Sequence, residues 1–259
     1  MRATAEVITS AGLKVKVWWW ALLLTYALLW AGGVGSQLTL GATPPGAAWA
    51  APAFLFAAGL IVLLSAPPPD QACLAGVALL GFAAEVAGSH SGLIFGRYRY
   101  TDALFPQVWG VPLAMACAWL ILSAYVKQMI TAFALPAWLE VVAASLWLTA
   151  LDLVIDPLAA GRLGYWHWLE GGRYYGVPLH NFLGWFAVGL VTFGLLRAGR
   201  RGRWGLNRWA GRLGLSVVAF FTIICWRHGL LWAGVGGVAL AAVHFGASHR
   251  RPPAAGGKG

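Results

Sequence analysis

Three carboxylates near the ends of apolar segments are the residues best suited to chemistry in this sequence. Glu85 lies near the end of one such segment, and Asp152 and Asp156 lie near the end of another. The two aspartates are four residues apart, so a helix would place both on one face. A carboxylate inside a membrane span is costly and by default marks a functional site. Alternatively, each acid lies near the lipid headgroups and pairs with one of four loop arginines, Arg97, Arg99, Arg162 or Arg173.

A second set of side chains combines aromatic rings with polar tips and follows the carboxylates along the chain. Its members are Tyr98, Tyr100, Trp166, Trp168, Tyr174, Tyr175 and Trp185. Ring faces attract a developing cation by up to ~2 kcal/mol where water is excluded, so the set predicts a wall around a cationic intermediate. Alternatively, these side chains form the belt of aromatic residues that membrane proteins place at the membrane–water interface. His180 and Asn181 begin the next helix, where they could position a water molecule.

A magnesium-diphosphate site is a competing interpretation of the two aspartates. Membrane prenyltransferases use Asp-x-x-x-Asp motifs on helices for that purpose, but the chemistry needs a second Asp-rich cluster. Glu85 and Asp102 do not form one. His228, His244 and His249 are scattered near the C-terminus, without the spacing of metal ligands. We therefore predict no metal site.

The composition determines which kind of scaffold must hold these groups. The chain has 259 residues, 60% of them hydrophobic and 10% charged, whereas a soluble domain has about 25% charged residues. We therefore expect an all-α protein, a polytopic transmembrane helical bundle. The net charge of +10 does not indicate nucleic-acid binding, because six of the 18 basic residues lie within 197–212. Such a cluster is typical of a cytoplasmic loop.

Apolar stretches of about 20 residues can cross a ~30 Å hydrocarbon core. They lie at 17–34, 47–66, 71–88, 108–126, 136–156, 178–196 and 213–247. Arg227-His228-Gly229 interrupts the last stretch, so we expect two short helices and a tight turn there. This makes eight helices in total, with seven as the alternative. Pro136 suits the first turn of the fifth helix, and Glu140 would then lie where a negative charge favours the helix dipole.

The distribution of basic residues predicts the orientation. With the N-terminus in the cytoplasm, 13 Lys and Arg residues fall on the inner side and 5 on the outer side. Cytoplasmic loops carry such an excess. We therefore expect an integral protein of the bacterial inner (cytoplasmic) membrane, with residues 248–259 as a flexible cytoplasmic tail.

An internal repeat is indicated by Gly-Val-Pro-Leu, which occurs at 110–113 and 176–179. A tryptophan follows each copy at the same distance (Trp119 and Trp185), and a Gly-Arg-Tyr echo precedes each, at 96–100 and 172–175. The pattern favours two parallel helix-pair units, 71–126 and 136–197, within a single membrane domain, 1–259. Alternatively, Gly-Val-Pro-Leu is a generic segment at the start of a helix, and the two copies do not indicate duplication. Duplication would gather the carboxylates and both aromatic loops around one cavity on the outer side.

At these residues the sequence resembles the CruF-type carotenoid biosynthesis proteins, a membrane family that includes carotenoid 1,2-hydratases. The resemblance covers roughly residues 75–195. It rests on Glu85 and on the segments GLIFGRYRYT (92–101), GVPL (110–113), DLVIDP (152–157), YWHW (165–168), YYGVP (174–178) and NFLGW (181–185). The segment DALFP at 102–106 departs from the family pattern, in which we expect a glycine near this point.

The resemblance implies hydration of the terminal C1=C2 double bond of an acyclic carotenoid end group. This reaction needs a protonated acid, a dry aromatic wall for a tertiary cation, and a held water molecule. A buried carboxyl group keeps its proton more readily than an exposed one. We expect Asp152 or Asp156 to be the acid, and Glu85 with Asn181 or His180 to hold the water. No redox cofactor or metal is required.

The expected partners are an acyclic or monocyclic carotenoid, the lipid bilayer and other enzymes of the carotenoid pathway. Two alternatives remain. An end-group cyclase or isomerase would begin with the same protonation, and an internal double bond would then capture the cation. A transporter or a non-catalytic lipid- or carotenoid-binding protein would also contain parallel repeats and intramembrane acids.

Overall fold

The described part of the chain, residues 2–200 and 207–248 of this computed structural model, forms eight α-helices. Side chains are described for residues 16–199 and 207–248, so the predicted tail lies outside the described residues except for Ser248. The helices are α1 (Arg2–Leu40), α2 (Ala50–Ser65), α3 (Pro68–Ser91), α4 (Ala114–Thr131), α5 (Ala137–Ala160), α6 (Leu179–Arg200), α7 (Arg208–Arg227) and α8 (Leu231–Ser248). Four short strands lie between them: β1 (Tyr98–Tyr100), β2 (Gln107–Val108), β3 (Val111–Pro112) and β4 (Trp166–Trp168).

Seven of these helices are long and apolar enough to cross a membrane. The exception is α2, whose 16 residues span about 24 Å at 1.5 Å per residue. The predicted break in the last apolar stretch is confirmed, because α7 ends at Arg227 and Gly229 adopts a positive φ before α8 begins. The polytopic all-α bundle predicted from the composition is therefore the observed architecture.

Among the helix boundaries that differ from the predicted ones, two have identifiable physical reasons. The fourth helix begins at Ala114, not near residue 108, because a hairpin occupies residues 107–112. The fifth continues past Asp156 to Ala160 with Pro157 inside it. Proline has no N–H to donate to the carbonyl four residues earlier. The Tyr174 hydroxyl donates to that carbonyl, on Leu153, at 2.9 Å, so the backbone acceptor is satisfied.

The two long loops, after α3 and after α5, meet in an antiparallel ladder. β1 pairs with β4, with Arg99 opposite His167 at the centre. Each loop also contains a tight turn that includes the glycine of its Gly-Val-Pro segment. The central residues of these turns are Trp109-Gly110 and Tyr175-Gly176, and all four have positive φ, as in type I′ turns. The two turns therefore have the same backbone conformation next to the repeated Val-Pro.

The strand ladder pairs different segments from those that the sequence echo relates. The sequence echo equates residues 96–100 with 172–175, whereas the ladder relates β1 to β4. The bridge between Tyr174 and Val177 matches the pair formed by Val108 and Val111. Seven residues, 101–107, separate β1 from its turn, and five, 169–173, separate β4 from its turn. The two Gly-Arg-Tyr segments therefore lie at different distances from their turns.

One end of the bundle carries both aromatic loops and the α7–α8 turn, and we call it the carboxylate end. At the other end, the Glu140 carboxylate binds the Lys127 ammonium group and the Arg197 guanidinium group, the latter at 2.6 Å. The sequence predicts only a helix-dipole role for Glu140. The structure adds an ion cluster that joins α4, α5 and α6.

Candidate active site

A cluster around Glu85 forms the first carboxylate site at the carboxylate end. Its Oε2 accepts hydrogen bonds from the hydroxyls of Tyr98 at 2.5 Å and Tyr100 at 2.8 Å. Its Oε1 accepts one from Trp119 Nε1 at 3.0 Å. Burial and the neighbouring Glu85 raise the pKa of Tyr98 and of Tyr100 above its usual value, so both hydroxyls stay protonated as donors.

The second cluster surrounds Asp152 and Asp156. Asp156 Oδ1 accepts from Trp166 Nε1 at 2.9 Å and from Trp168 Nε1 at 3.1 Å. The amide nitrogen of Asn181 donates to Asp156 Oδ2 at 2.7 Å and to Asp152 Oδ2 at 2.6 Å. Asn181 is 2% exposed. A single buried amide therefore joins the two aspartates, which lie one helical turn apart.

The β1–β4 ladder explains why each of its two strands supplies two aromatic donors to one carboxylate. Side chains two residues apart in a strand point to the same face, so Tyr98 and Tyr100 point together, as do Trp166 and Trp168. The central His167 is exposed on the opposite face. The sequence signal for this arrangement is the aromatic-polar-aromatic pattern in both loops.

The tryptophans that follow the two Gly-Val-Pro-Leu segments contact each other next to the Glu85 cluster. The rings of Trp119 and Trp185 stack with centroids 4.5 Å apart and planes 11° apart. Trp119 packs directly on the backbone of α3 at Gly81, where a Cβ atom would overlap the indole ring. Gly81 thereby lets the indole reach Glu85. In the sequence, Trp119 stands out only as a marker of the repeat, and no pattern there identifies it as a hydrogen-bond donor to Glu85.

A cavity of about 350 Å³ is in contact with one of the three acids. Side chains of α1, α2, α4, α5 and α7 line it, and most of them are apolar. Among the described residues that line it, Asp152 is the only carboxylate, and Trp166, Trp185 and Tyr165 supply aromatic surface. Neither Glu85 nor Asp156 lines the cavity. The cavity volume lies within the range of small-molecule sites, about 300–1,000 Å³.

Several predicted site residues lie outside the two clusters. The His180 ring is exposed, and its Nε2 contacts the Leu93 carbonyl oxygen at 2.8 Å. Tyr174 supports the backbone of α5, as described above, and the Tyr175 hydroxyl accepts from the backbone N–H of Trp232 at 3.0 Å. Within the described residues, no group of three or more His, Cys, Asp or Glu side chains is placed to hold a metal ion.

The alternative in which the acids pair with loop arginines is not observed among the described side chains. Arg97 binds Glu170 on the surface at 2.7 Å. The other ion pairs described in the chain are those of Glu140. Hydrogen bonds to neutral donors, not ion pairs, therefore hold Glu85 and Asp156.

Replacing Glu85 by Gln tests whether this acid acts in chemistry or in the architecture of the loops. The glutamine side chain would present an NH₂ group to donors that now point at a carboxylate. An unsatisfied buried hydrogen-bonding group costs about 1–3 kcal/mol. We therefore expect a lower thermal unfolding temperature and less than a tenfold loss of turnover. Thermal unfolding in detergent and a turnover assay measure the two effects, and a loss as large as that of an Asp152 variant would contradict a structural role.

Comparison with known proteins identifies the family of this chain. The family model described as carotenoid biosynthesis protein matches residues 51–248, which include both clusters. A bisanhydrobacterioruberin hydratase from Haloarcula japonica is 33% identical over 140 residues, which cover 50% of this chain and 47% of that protein. The chain thus spans about half the length of this curated relative. No solved structure matches. The chain belongs to the carotenoid biosynthesis protein family.

Proposed function

We propose that this protein is a hydro-lyase that adds water to the terminal C1=C2 double bond of an acyclic carotenoid end group. The observation that carries the proposal is the apolar cavity whose single lining carboxylate, among the described residues, is Asp152. Membership of the carotenoid biosynthesis protein family and the similarity to a hydratase support the same reaction class.

Asp152 is the proposed proton donor. Asp156 accepts three hydrogen bonds from neutral donors, a pattern suited to an ionised carboxylate. Asp152 shares the Asn181 amide with it. Two carboxylates that share a site disfavour simultaneous ionisation, so the proton of the pair belongs on Asp152. That group is also the one in contact with the cavity.

The reaction has two bond-forming steps. The π electrons of the alkene take the Asp152 proton to form a C–H bond at C2, which leaves a tertiary cation at C1. Trp166 and Trp185 present ring surface to this cation. A water oxygen then attacks C1, and the surplus proton of the resulting oxonium returns to the aspartate pair. One water is consumed, and Asp152 is protonated again.

The size of the cavity limits how the substrate binds. A volume of about 350 Å³ suits an end group, not a whole forty-carbon polyene. The polyene is about as long as the ~30 Å hydrocarbon core, so the rest of the substrate extends into the bilayer. An acyclic or monocyclic carotenoid has a linear end that meets this requirement.

The decisive experiment is expression of the protein in a bacterium that accumulates an acyclic carotenoid, followed by pigment analysis. We expect a more polar, hydroxylated product whose mass is larger by one water. A ring-containing isomer of unchanged mass would instead identify a cyclase, in which an internal double bond captures the cation. Unchanged pigment, with the protein present in the membrane, would exclude both enzymes and favour a carotenoid-binding or transport role.

For orientation we propose a cytoplasmic N-terminus in the bacterial inner membrane. The basic residues support this arrangement, since 13 of 18 fall on the predicted inner side. The carboxylate end and the cavity would then face the outer half of the membrane. We also propose that residues 71–126 and 136–197 are duplicated units of one domain.

A further inference from the structure

A buried glutamine is among the polar residues that line the cavity besides Asp152. Gln37 lies near the end of α1, is 3% exposed and lines the cavity together with Asp152. Its Oε1 lies 2.9 Å from His228 Nε2, in the turn between α7 and α8. An amide oxygen can only accept, so the imidazole donates and holds the amide in one orientation.

Attachment of α1 to the bundle does not require this amide. The Arg227 Nε donates to the Leu38 carbonyl at 3.2 Å, which ties the end of α1 to the same turn. Deeper along α1, the hydroxyl of Tyr26 and the indole nitrogen of Trp30 contact Ser216 of α7 at 2.6 and 2.9 Å. Burying an amide against an apolar cavity carries a free-energy cost. A hydrogen bond from this amide to a molecule inside the cavity would offset that cost.

The chemistry of the amide matches what the second step of hydration needs. A carboxamide has two acceptor positions and two donors. With one acceptor position occupied by His228, the other can accept a water O–H. The water oxygen then keeps a lone pair for the cation. Asp152 and Gln37 lie on different helices, so the proton and the water can come from separate groups.

His228 connects this amide to the exterior. Its side chain is half-buried in the α7–α8 turn. Partial burial, with Arg162 and Arg227 nearby, lowers the pKa of His228 below its ordinary value. The ring is therefore neutral at neutral pH, and its one N–H is the hydrogen that the Gln37 oxygen accepts. The Gln37–His228 pair thus spans from the cavity wall to a partly exposed position.

We infer that Gln37, held by His228, positions the water molecule that captures the carotenoid cation. This inference rests on the proposed hydratase function. Gln37 would touch a reacting molecule, whereas His228 would act through Gln37 as a positioning residue. Protonation by Asp152 does not need either group, so the two steps are separable by substitution.

The test is a Gln37→Leu variant assayed in D₂O with the carotenoid substrate that the native protein hydrates. Leucine keeps the approximate volume of the side chain and removes its hydrogen bonds. We expect the rate of alcohol formation to fall about tenfold or more, since one hydrogen bond to the reacting water is lost. Deuterium should still enter the unreacted alkene, because Asp152 delivers a deuteron to C2 and the cation then loses a proton. Mass spectrometry of substrate and product gives the ratio of hydration to exchange.

His228→Leu provides a second variant in a turn, where folding is less at risk, and the ratio should fall in the same direction. Gln71→Leu is the matched control, because its amide binds the Ala66 carbonyl near the start of α3, outside the cavity. If both test variants kept the native ratio of hydration to deuterium exchange, the role of Gln37 would be overturned. The same conclusion would follow if hydration and exchange fell in parallel in both variants. Failure of the native protein to hydrate any carotenoid would instead refute the proposed function.

Discussion

In an Asp152→Asn variant we expect hydration to fall by about 10²–10⁴-fold, the contribution typical of a positioned general acid. Asparagine keeps the shape of the side chain but has no acidic proton to deliver to the alkene. Asp152 is 1% exposed and is the carboxylate that lines the cavity. Deuterium exchange into the substrate should disappear together with hydration, because both depend on protonation of C2. Product formation in membranes, normalised to protein content, measures the loss.

Asp102→Asn is the matched control for this variant, because Asp102 is an exposed loop aspartate. We expect the control to hydrate at the native rate. The unfolding temperature of each variant in detergent separates loss of chemistry from loss of fold. Hydration within threefold of the native rate in a folded Asp152→Asn protein would refute Asp152 as the acid.

The second large effect is expected for Asn181→Leu. The Asn181 amide is the group that contacts both aspartates, at 2.6 and 2.7 Å. A hydrogen bond to a charged group contributes about 1.5–3 kcal/mol, which corresponds to roughly 10–150-fold in rate. Asn181 does not line the cavity, so kcat should fall while KM changes little. Steady-state kinetics in detergent micelles would give both constants.

Thr192→Val controls for packing of α6 in that experiment. Thr192 is buried on the same helix, and its hydroxyl has no hydrogen-bond partner among the described residues. Near-native kcat is expected for this control. If Asn181→Leu raised KM and left kcat intact, the amide would act on substrate binding and not on the aspartate pair.

Apolar stretches of membrane-spanning length and the low charge content were sufficient to predict the scaffold. The break at Arg227-His228-Gly229 and the start of α5 after Pro136 follow from local chemistry, because a Gly turn and a Pro at a helix start need no tertiary partner. Boundaries failed for two different reasons, one local and one involving a residue farther along the chain. Residues 107–112 form a hairpin, and α5 continues through Pro157 because Tyr174 satisfies the Leu153 carbonyl.

The sequence by itself determined that the acids are few, lie near helix ends and are accompanied by aromatic residues in two loops. These are properties of residue type and spacing, which the chain carries without folding. Only the tertiary structure distinguished Asp152, which faces a cavity, from Glu85, which binds three aromatic donors. It also brought Gln37 of α1 into that cavity. Spacing indicates which residues share a helix face, but the neighbours of that face come from helices far away in the sequence.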